Sequence, residues 1–182
     1  MAMTLDDIGA LYRRLGDLGY SGEPVTQIEH ALQTAALAES AGSSDALVTA
    51  CLLHDMGHLL NEQGDTPTLR GIDDTHEYFA IPFLRGMFGE EVLEPIRLHV
   101  KAKRYLCAVR EGYWDSLSDD SKRSLDLQGG VYSSAEARQF IARPFAEDAV
   151  HLRVWDDLAK IAGQHTPDFS HFEARMRACA LT

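Results

Sequence analysis

The stretch Leu52-Leu53-His54-Asp55-Met56-Gly57-His58 decides how this chain is read. The run leading into it reads as a helix from about Asp45 to Met56, nearly free of polar residues in its second half. On a 3.6-residue period His54 follows Leu47, Ala50 and Cys51 down one face, and Asp55 follows Val48, Cys51 and Leu52. Both polar side chains leave an apolar stripe and point inward. An ionised carboxylate buried beside imidazole costs several kcal/mol unless a cation or a hydrogen-bond partner offsets it. Gly57 suits a helix C-terminus, which places His58 in the first turn of a following loop. Taken alone the pair reads as a buried, hydrogen-bonded cap. The positions of the other histidines and aspartates change that reading.

Working outward, the chain is a succession of helices. Leu5, Ile8, Leu11, Tyr12 and Leu15 give an amphipathic helix within Thr4 to Leu18. A turn-rich loop, Gly19 to Pro24, precedes a capping box at Thr26 and Glu29 that opens a helix to about Ser40, with His30 in its first turn. Asn61 to Asp74 has little periodicity and reads as a loop near the active face. Asp74 or Thr75 is a cap for a helix carrying His76, which Pro82 ends or kinks. Glu90 to about Val109 is the next helix, with Val92, Leu93, Ile96, His99, Val100 and Leu106 inside. Asp115 to Asp120 marks a new start that leads to the Gly129-Gly130 turn. Ser134 opens a helix to Arg143, Phe145 to Ile161 carries Asp156, and His171 to Leu181 closes the chain. No alternating strand pattern appears. The expected fold is all-α, a single helical domain over residues 1–182.

Composition narrows the partners. The 182 residues suit one well-buried core. A net charge of −11 argues against a nucleic-acid or anionic-membrane surface. No apolar run approaches a membrane span, and Met1 to Asp7 lacks the features of a secretory signal. Cys51, Cys107 and Cys179 have no paired spacing and read as reduced thiols. A cytoplasmic protein with a small-molecule partner is expected; its oligomeric state is open.

The inward polar residues come in the order His30, His54-Asp55, His76, His99, Asp156, each in or at the end of a separate predicted helix. His99 follows Ile96 and Val92, and Asp156 follows Leu152 and Ala149. Four imidazoles and two carboxylates form a nitrogen and oxygen set without thiolate, suited to iron, manganese, nickel or zinc with open positions. Six ligands exceed the need of one ion that also binds substrate, so Asp55 is the natural bridge between two. One arrangement puts His30 and Asp156 on one ion and His54, His76 and His99 on the other; periodicity does not decide it. Lys103 lies one turn beyond His99 and shares its face. A lysine aimed at cations makes sense with an anion between, such as a phosphoryl or phosphonyl group; otherwise it belongs to a solvated cluster with Lys101 and Arg104. Ser121, Ser124 and Gln128 recur on one helical face and could donate to the same anion.

The order His…His-Asp…His…His…Asp resembles the HD-domain superfamily, all-α metal proteins that are mostly phosphohydrolases. Gly19-Tyr20-Ser21-Gly22-Glu23 with Gln27-Ile28-Glu29-His30, His99 to Leu106, and Leu117 to Ser121 leading to Leu127-Gln128-Gly129-Gly130 narrow the resemblance. With Leu152 to Asp156, they are similar to its mixed-valent di-iron oxygenases, which cleave the C–P bond of 1-hydroxy-2-aminoethylphosphonates; the likeness covers about Leu15 to Asp157. It implies two irons, Fe(II)/Fe(III), on His30, His54, Asp55, His76, His99 and Asp156. O2 is the co-substrate, and C1 hydrogen abstraction leads to glycine or glycine betaine plus phosphate. By position, His58, Lys103, Ser121, Ser124 and Gln128 hold the phosphonate, and Gln27 joins the substrate contacts. Tyr20 and Glu23 form a mobile latch, with Glu23 answering the substrate amine.

The runner-up is a metal-dependent phosphohydrolase acting on a nucleotide or phosphomonoester through the same ligands. A non-catalytic binding module is the third reading. Tyr20, Glu23 and the Lys103-Arg104-Tyr105 run have no evident hydrolytic task, and a module without activity has no need of six ligands.

Overall fold

The computed structural model describes residues 3–20, 22–61, 67–73 and 75–181. It contains α1 (Leu5–Leu15), α2 (Gln27–Ser40), α3 (Asp45–Leu53), α4 (Met56–Leu60), a 3-10 turn at Pro67–Arg70, α5 (His76–Phe79) and α6 (Ile81–Leu84). Then come α7 (Glu90–Val109), α8 (Tyr113–Ser116), α9 (Asp119–Leu127), α10 (Ser134–Ile141), α11 (Ala146–Leu158) and α12 (Phe169–Cys179). Among the described residues, pairing of strand type is confined to two isolated bridges, Gly19 with Thr26 and Phe88 with Ala180. Nor is any described helix long and apolar enough to cross a membrane.

α3 is the axis. Every residue from Leu47 to Leu53 is buried and all but Thr49 are apolar, so this helix must be enclosed by others. α2, α7 and α12 enclose it, and α11 lies along α7 and against α2. Burying a side chain such as Leu52 or Leu53 contributes about 1.5–3 kcal/mol each, which is why the axis sits where it does. Ile8, Tyr12, Ile96, Leu152, Phe172 and Met176 complete this core. A smaller cluster of Leu98, Ala102, Phe140, Ala146 and Ala149 joins α7, α10 and α11.

Helix starts follow the sequence chemistry. Thr26 and Glu29 form the expected reciprocal capping box, and Thr4 forms another with Asp7. The cap of α10 is Ser133 with Glu136, one residue before the expected Ser134. Two expectations fail more informatively. The helix expected to reach Met56 ends at Leu53; His54 and Asp55 form a break, with Asp55 at φ −102° and ψ 10°, and the chain re-enters helix in α4. Gly57 therefore lies within a helix instead of ending one, and so does His58. A Cβ on Gly57 would lie 2.1 Å from the carbonyl oxygen of His76, so glycine is needed for close approach of α4 and α5. Thr75 precedes α5 in the left-handed region at φ 48° and makes no side-chain cap; Asp74, the other expected cap, lies outside the described residues. The chain bends at Ala80, just ahead of Pro82.

Candidate metal centre and substrate pocket

The break after α3 turns His54 and Asp55 into the space between α2, α5, α7 and α11. There they meet His30 from the first turn of α2, His76 from the start of α5, His99 from α7 and Asp156 from α11. All six are buried. Asp55 divides them. Its Oδ2 lies 3.5 Å from His30 Nε2 and 3.3 Å from His54 Nε2, while its Oδ1 lies 3.2 Å from His76 Nε2 and 3.6 Å from His99 Nε2. Two groups with metal-ligating spacing result, His30-His54-Asp55 and Asp55-His76-His99. Asp156 Oδ1 is 3.4 Å from His30 Nε2 and extends the first. His54 thus sits with His30, not with His76 and His99 as one sequence-based arrangement had it.

The donor chemistry fits metal ions. His30 Nδ1 donates to the carbonyl of Ala159 (2.8 Å), His54 Nδ1 to that of Cys51 (2.8 Å) and His99 Nδ1 to that of Ile96 (2.6 Å). A carbonyl oxygen can only accept, so these rings carry hydrogen on Nδ1 and turn the Nε2 lone pair inward when neutral. The lone-pair sides then face one another, with His30 and His54 Nε2 3.2 Å apart and His76 and His99 Nε2 3.0 Å apart. Oδ1 of Asp55 and Oδ1 of Asp156 are buried and have no hydrogen-bond partner among the described residues. Acceptors converging on acceptors repel unless a positive charge lies among them. Burial disfavours charge on His30, yet the carboxylates of Asp156 and Asp55 overcome it and hold its pKa up at about 9. His99 goes the other way, pushed well below the usual range by burial and by its neighbours His76 and His54. Burial alone would raise the pKa of Asp55 and Asp156; the surrounding His54, His30 and Arg153 groups reverse that and keep both ionised.

A cavity of about 50 Å³ opens beside this cluster. Its walls include Tyr20, Glu23, His58, Lys103, Ser121, Ser124 and Gln128 of the expected substrate set, with Pro67 and Thr68 from the 3-10 turn. Gln27 is buried at the start of α2 and is not among the described residues of that wall. Tyr20 donates through its hydroxyl to Asp55 Oδ2 at 2.7 Å and stacks on His30 with ring centres 4.0 Å apart. His58 stacks on His76 at 4.1 Å. Lys103 is not solvated: it is 2% exposed and donates to Ser124 Oγ at 2.6 Å. Burial first, and then the Arg153 charge, lower its pKa to about 7. Arg104, by contrast, faces away and bonds the carbonyls of Gly130 (2.7 Å) and Gly129 (2.9 Å). This clamp joins α7 to the turn after α9, whose Ser121 carbonyl and Ser124 hydroxyl accept from Lys103, while the Gln128 amide turns to Asp73 at 3.5 Å.

Arg153, to which the sequence reading gave no role, is buried in the same wall. Its Nη1 is 2.9 Å from Asp156 Oδ2, its Nη2 pairs with Asp157, and its Nη2 lies 3.4 Å from Ser121 Oγ. The acids at i+3 and i+4 were the available signal. Lys160 was missed as well. It lines the cavity and its Nζ lies 3.1 Å from Glu23 Oε1. Nothing local announces a partner 137 positions away.

Comparison with known proteins agrees with this geometry. Residues 28–158 match the HD domain family. The chain is 42% identical over 175 residues to hydroxymethylphosphonate dioxygenase of Gimesia maris, covering 94% of this chain and 87% of that one. It is 39% identical over 169 residues to the glycine-betaine-forming [1-hydroxy-2-(trimethylamino)ethyl]phosphonate dioxygenase of Leisingera caerulea, covering 91% and 84%. An uncharacterized protein, L432 of Acanthamoeba polyphaga mimivirus, is 32% identical over 169 residues, covering 91% and 77%. The chain belongs to the HD-domain family and, within it, to the group that contains these phosphonate dioxygenases.

Proposed function

We propose that this protein is a single-domain, cytoplasmic, iron-dependent dioxygenase that cleaves the C–P bond of a small 1-hydroxyphosphonate of the 1-hydroxy-2-aminoethylphosphonate type, amine-free relatives included. The observation that carries the reading is Lys103, a buried lysine with no ion-pair partner among the described residues, in the wall of a cavity that also holds the His and Asp cluster. An anion that reaches both satisfies both. A phosphonate does so, with its oxygens toward Lys103, Ser121, Ser124, Gln128 and Arg153, and its carbon toward the His and Asp groups.

In the reaction an R–CH(OH)–PO3 compound and one O2 give R–COOH and phosphate. The C–P bond breaks, both oxygen atoms enter the products, and the carbon gives up four electrons to O2. Two irons fit the two groups that share Asp55, with Asp156 completing the first; when bound, they supply O2 activation and Lewis acidity. The protein's own groups do the rest. Lys103 and Arg153 fix the anionic end and offset its charge. His58, on the wall beside His76, offers a further contact to the phosphonate. Tyr20, kept a phenol by burial and by Asp55, covers the cluster until substrate displaces it.

The test is O2 consumption by iron-loaded protein with a panel of 1-hydroxyphosphonates that differ in amine and N-methylation. Phosphate release matched by O2 uptake is expected. Phosphate release without O2 uptake would overturn the reading in favour of a phosphohydrolase.

A further inference from the structure

We infer that Lys160 selects substrates: by pairing with Glu23 it favours 1-hydroxyphosphonates whose carbon substituent carries no positive charge. The inference rests on the function proposed above and concerns the part of the pocket that the phosphonate contacts leave undetermined.

Glu23 and Tyr20 belong to one loop, and both line the cavity. An acid beside an aromatic ring is what an ammonium group would seek. The loop does not meet the substrate in that state. Lys160 Nζ lies 3.1 Å from Glu23 Oε1 and 5.8 Å from the centre of the Tyr20 ring, so this chain supplies its own ammonium to both features. Glu23 and Lys160 are 16% and 14% exposed, enough shelter for the pair to matter to a third charge nearby. An incoming cationic substituent would have to expel Lys160 or lie against it. An uncharged one meets a neutral pair.

The lysine is also held in place. Ala159 on one side accepts from His30 Nδ1 at 2.8 Å. Ile161 on the other is gripped twice by the buried Gln33 amide, which donates to its carbonyl at 2.9 Å and accepts from its N–H at 3.1 Å. Both neighbours of Lys160 are therefore fixed to α2. The Glu23 end is tied too, through Glu23 N–H to the Tyr20 carbonyl (2.7 Å) and Tyr20 N–H to the Val25 carbonyl (3.0 Å). A free surface lysine would lose much of any pairing to side-chain entropy; a backbone anchored on both sides leaves only the lysine side chain to order. Gln33 is a positioning residue in this scheme, since it acts through Lys160.

The experiment compares kcat/KM for hydroxymethylphosphonate and 2-amino-1-hydroxyethylphosphonate in iron-loaded wild type, Lys160→Met, Lys160→Arg and Gln33→Leu. Wild type should favour the amine-free compound. Lys160→Met should shift the ratio toward the amine by about tenfold or more, mainly through KM, because Glu23 is released and a repulsive charge is removed. Lys160→Arg should keep the wild-type ratio, and Gln33→Leu should move it partway. A wild-type preference for the amine, or an unchanged ratio in Lys160→Met, would overturn the inference. Should neither compound be turned over with O2 uptake, the dioxygenase reading fails separately. Calorimetric binding of the two compounds then decides: the same ranking and the same shift in Lys160→Met support the selector, and equal binding overturns it.

Discussion

The carboxylate of Asp55 turns one oxygen toward each pair of imidazoles, and no other described side chain is shared in that way. Asp55→Ala should leave fewer than two metal ions per chain, checked by metal analysis after iron loading; two retained irons with normal turnover would exclude Asp55 as the bridge. Lys103 is the complementary case, a buried lysine near Arg153 and the carboxylates of Asp156, Asp157 and Asp120, with no ion pair to any described residue. A hydrogen bond to a charged group contributes roughly 1.5–3 kcal/mol, so Lys103→Ala should raise KM by about 10- to 150-fold with metal content intact. Its pKa of about 7 gives a sign for pH. Below that value the lysine is charged and binds the anion; above it the proton is lost. Its contribution to kcat/KM should therefore decline as pH rises through 7, and Lys103→Arg should flatten that limb because arginine keeps its charge. Lys103 was legible from its spacing after His99, which put it on the metal-facing side. Its basic neighbours left a solvated cluster as the alternative, and the structure removes that alternative, since Lys101 and Arg104 turn to Tyr78 and to the double-glycine turn.

Between α4 and α5 the backbone contact at Gly57 is what brings His76 to the cluster. Gly57→Ala sets a methyl carbon 2.1 Å from a carbonyl oxygen that belongs to a ligand residue. Overpacking of this kind costs about 1–3 kcal/mol. The expected result is a lower melting temperature and loss of metal from the group containing His76 before the group containing His30, read by thermal melts and metal titration. The elements themselves were largely visible in the sequence. Capping boxes and the period of α2, α3, α7 and α11 are local signals, and the all-α fold and five of the cluster residues follow from them; His76 was placed at its helix start by a cap that Thr75 does not make. The break at His54-Asp55 has no such signal, since apolar residues continue on either side. It is set by tertiary packing: Asp55 takes φ −102° and ψ 10°, and the chain re-enters helix in α4, where Gly57 meets the His76 carbonyl. Arg153 and Lys160 were missed for a related reason. Arg153 looks like half of a surface i,i+4 pair, and Lys160 has its partner at the far end of the chain.

At the scale of the molecule, α12 is tied back to α2 and α3 by charge as well as by Phe172 and Met176. Glu39 of α2 meets His171 at 2.9 Å and Arg175 at 2.8 Å, and Arg175 also reaches Asp45 at 2.5 Å. His171 and Arg175 hold the Glu39 pKa below the ordinary value, as the caps do for Asp7, Asp168 and Glu136. The shift has one direction for all four. A carboxylate with a depressed folded-state pKa stabilises the fold above its unfolded value, and that stability is lost as pH falls through the folded one. Melting temperature should fall on acidification below the ordinary carboxylate range, and Glu39→Gln should narrow the difference between neutral and acid samples. An unchanged acid dependence in Glu39→Gln would assign the effect to the other carboxylates.

The three carbonyls that accept from His30, His54 and His99 carry a consequence for supply. Rings fixed in one tautomer need no rearrangement to accept an ion, so the centre is as ready for the wrong one. Divalent zinc binds nitrogen and oxygen ligands more tightly than ferrous iron in the general affinity order. Competition between equal concentrations of the two should yield a colourless, inactive protein, and activity should return only after chelation and reloading with iron in the absence of zinc. For the iron-dependent function proposed above, loading then depends on which metal is abundant while the chain folds, a choice made by the surroundings and not by the shape of the centre.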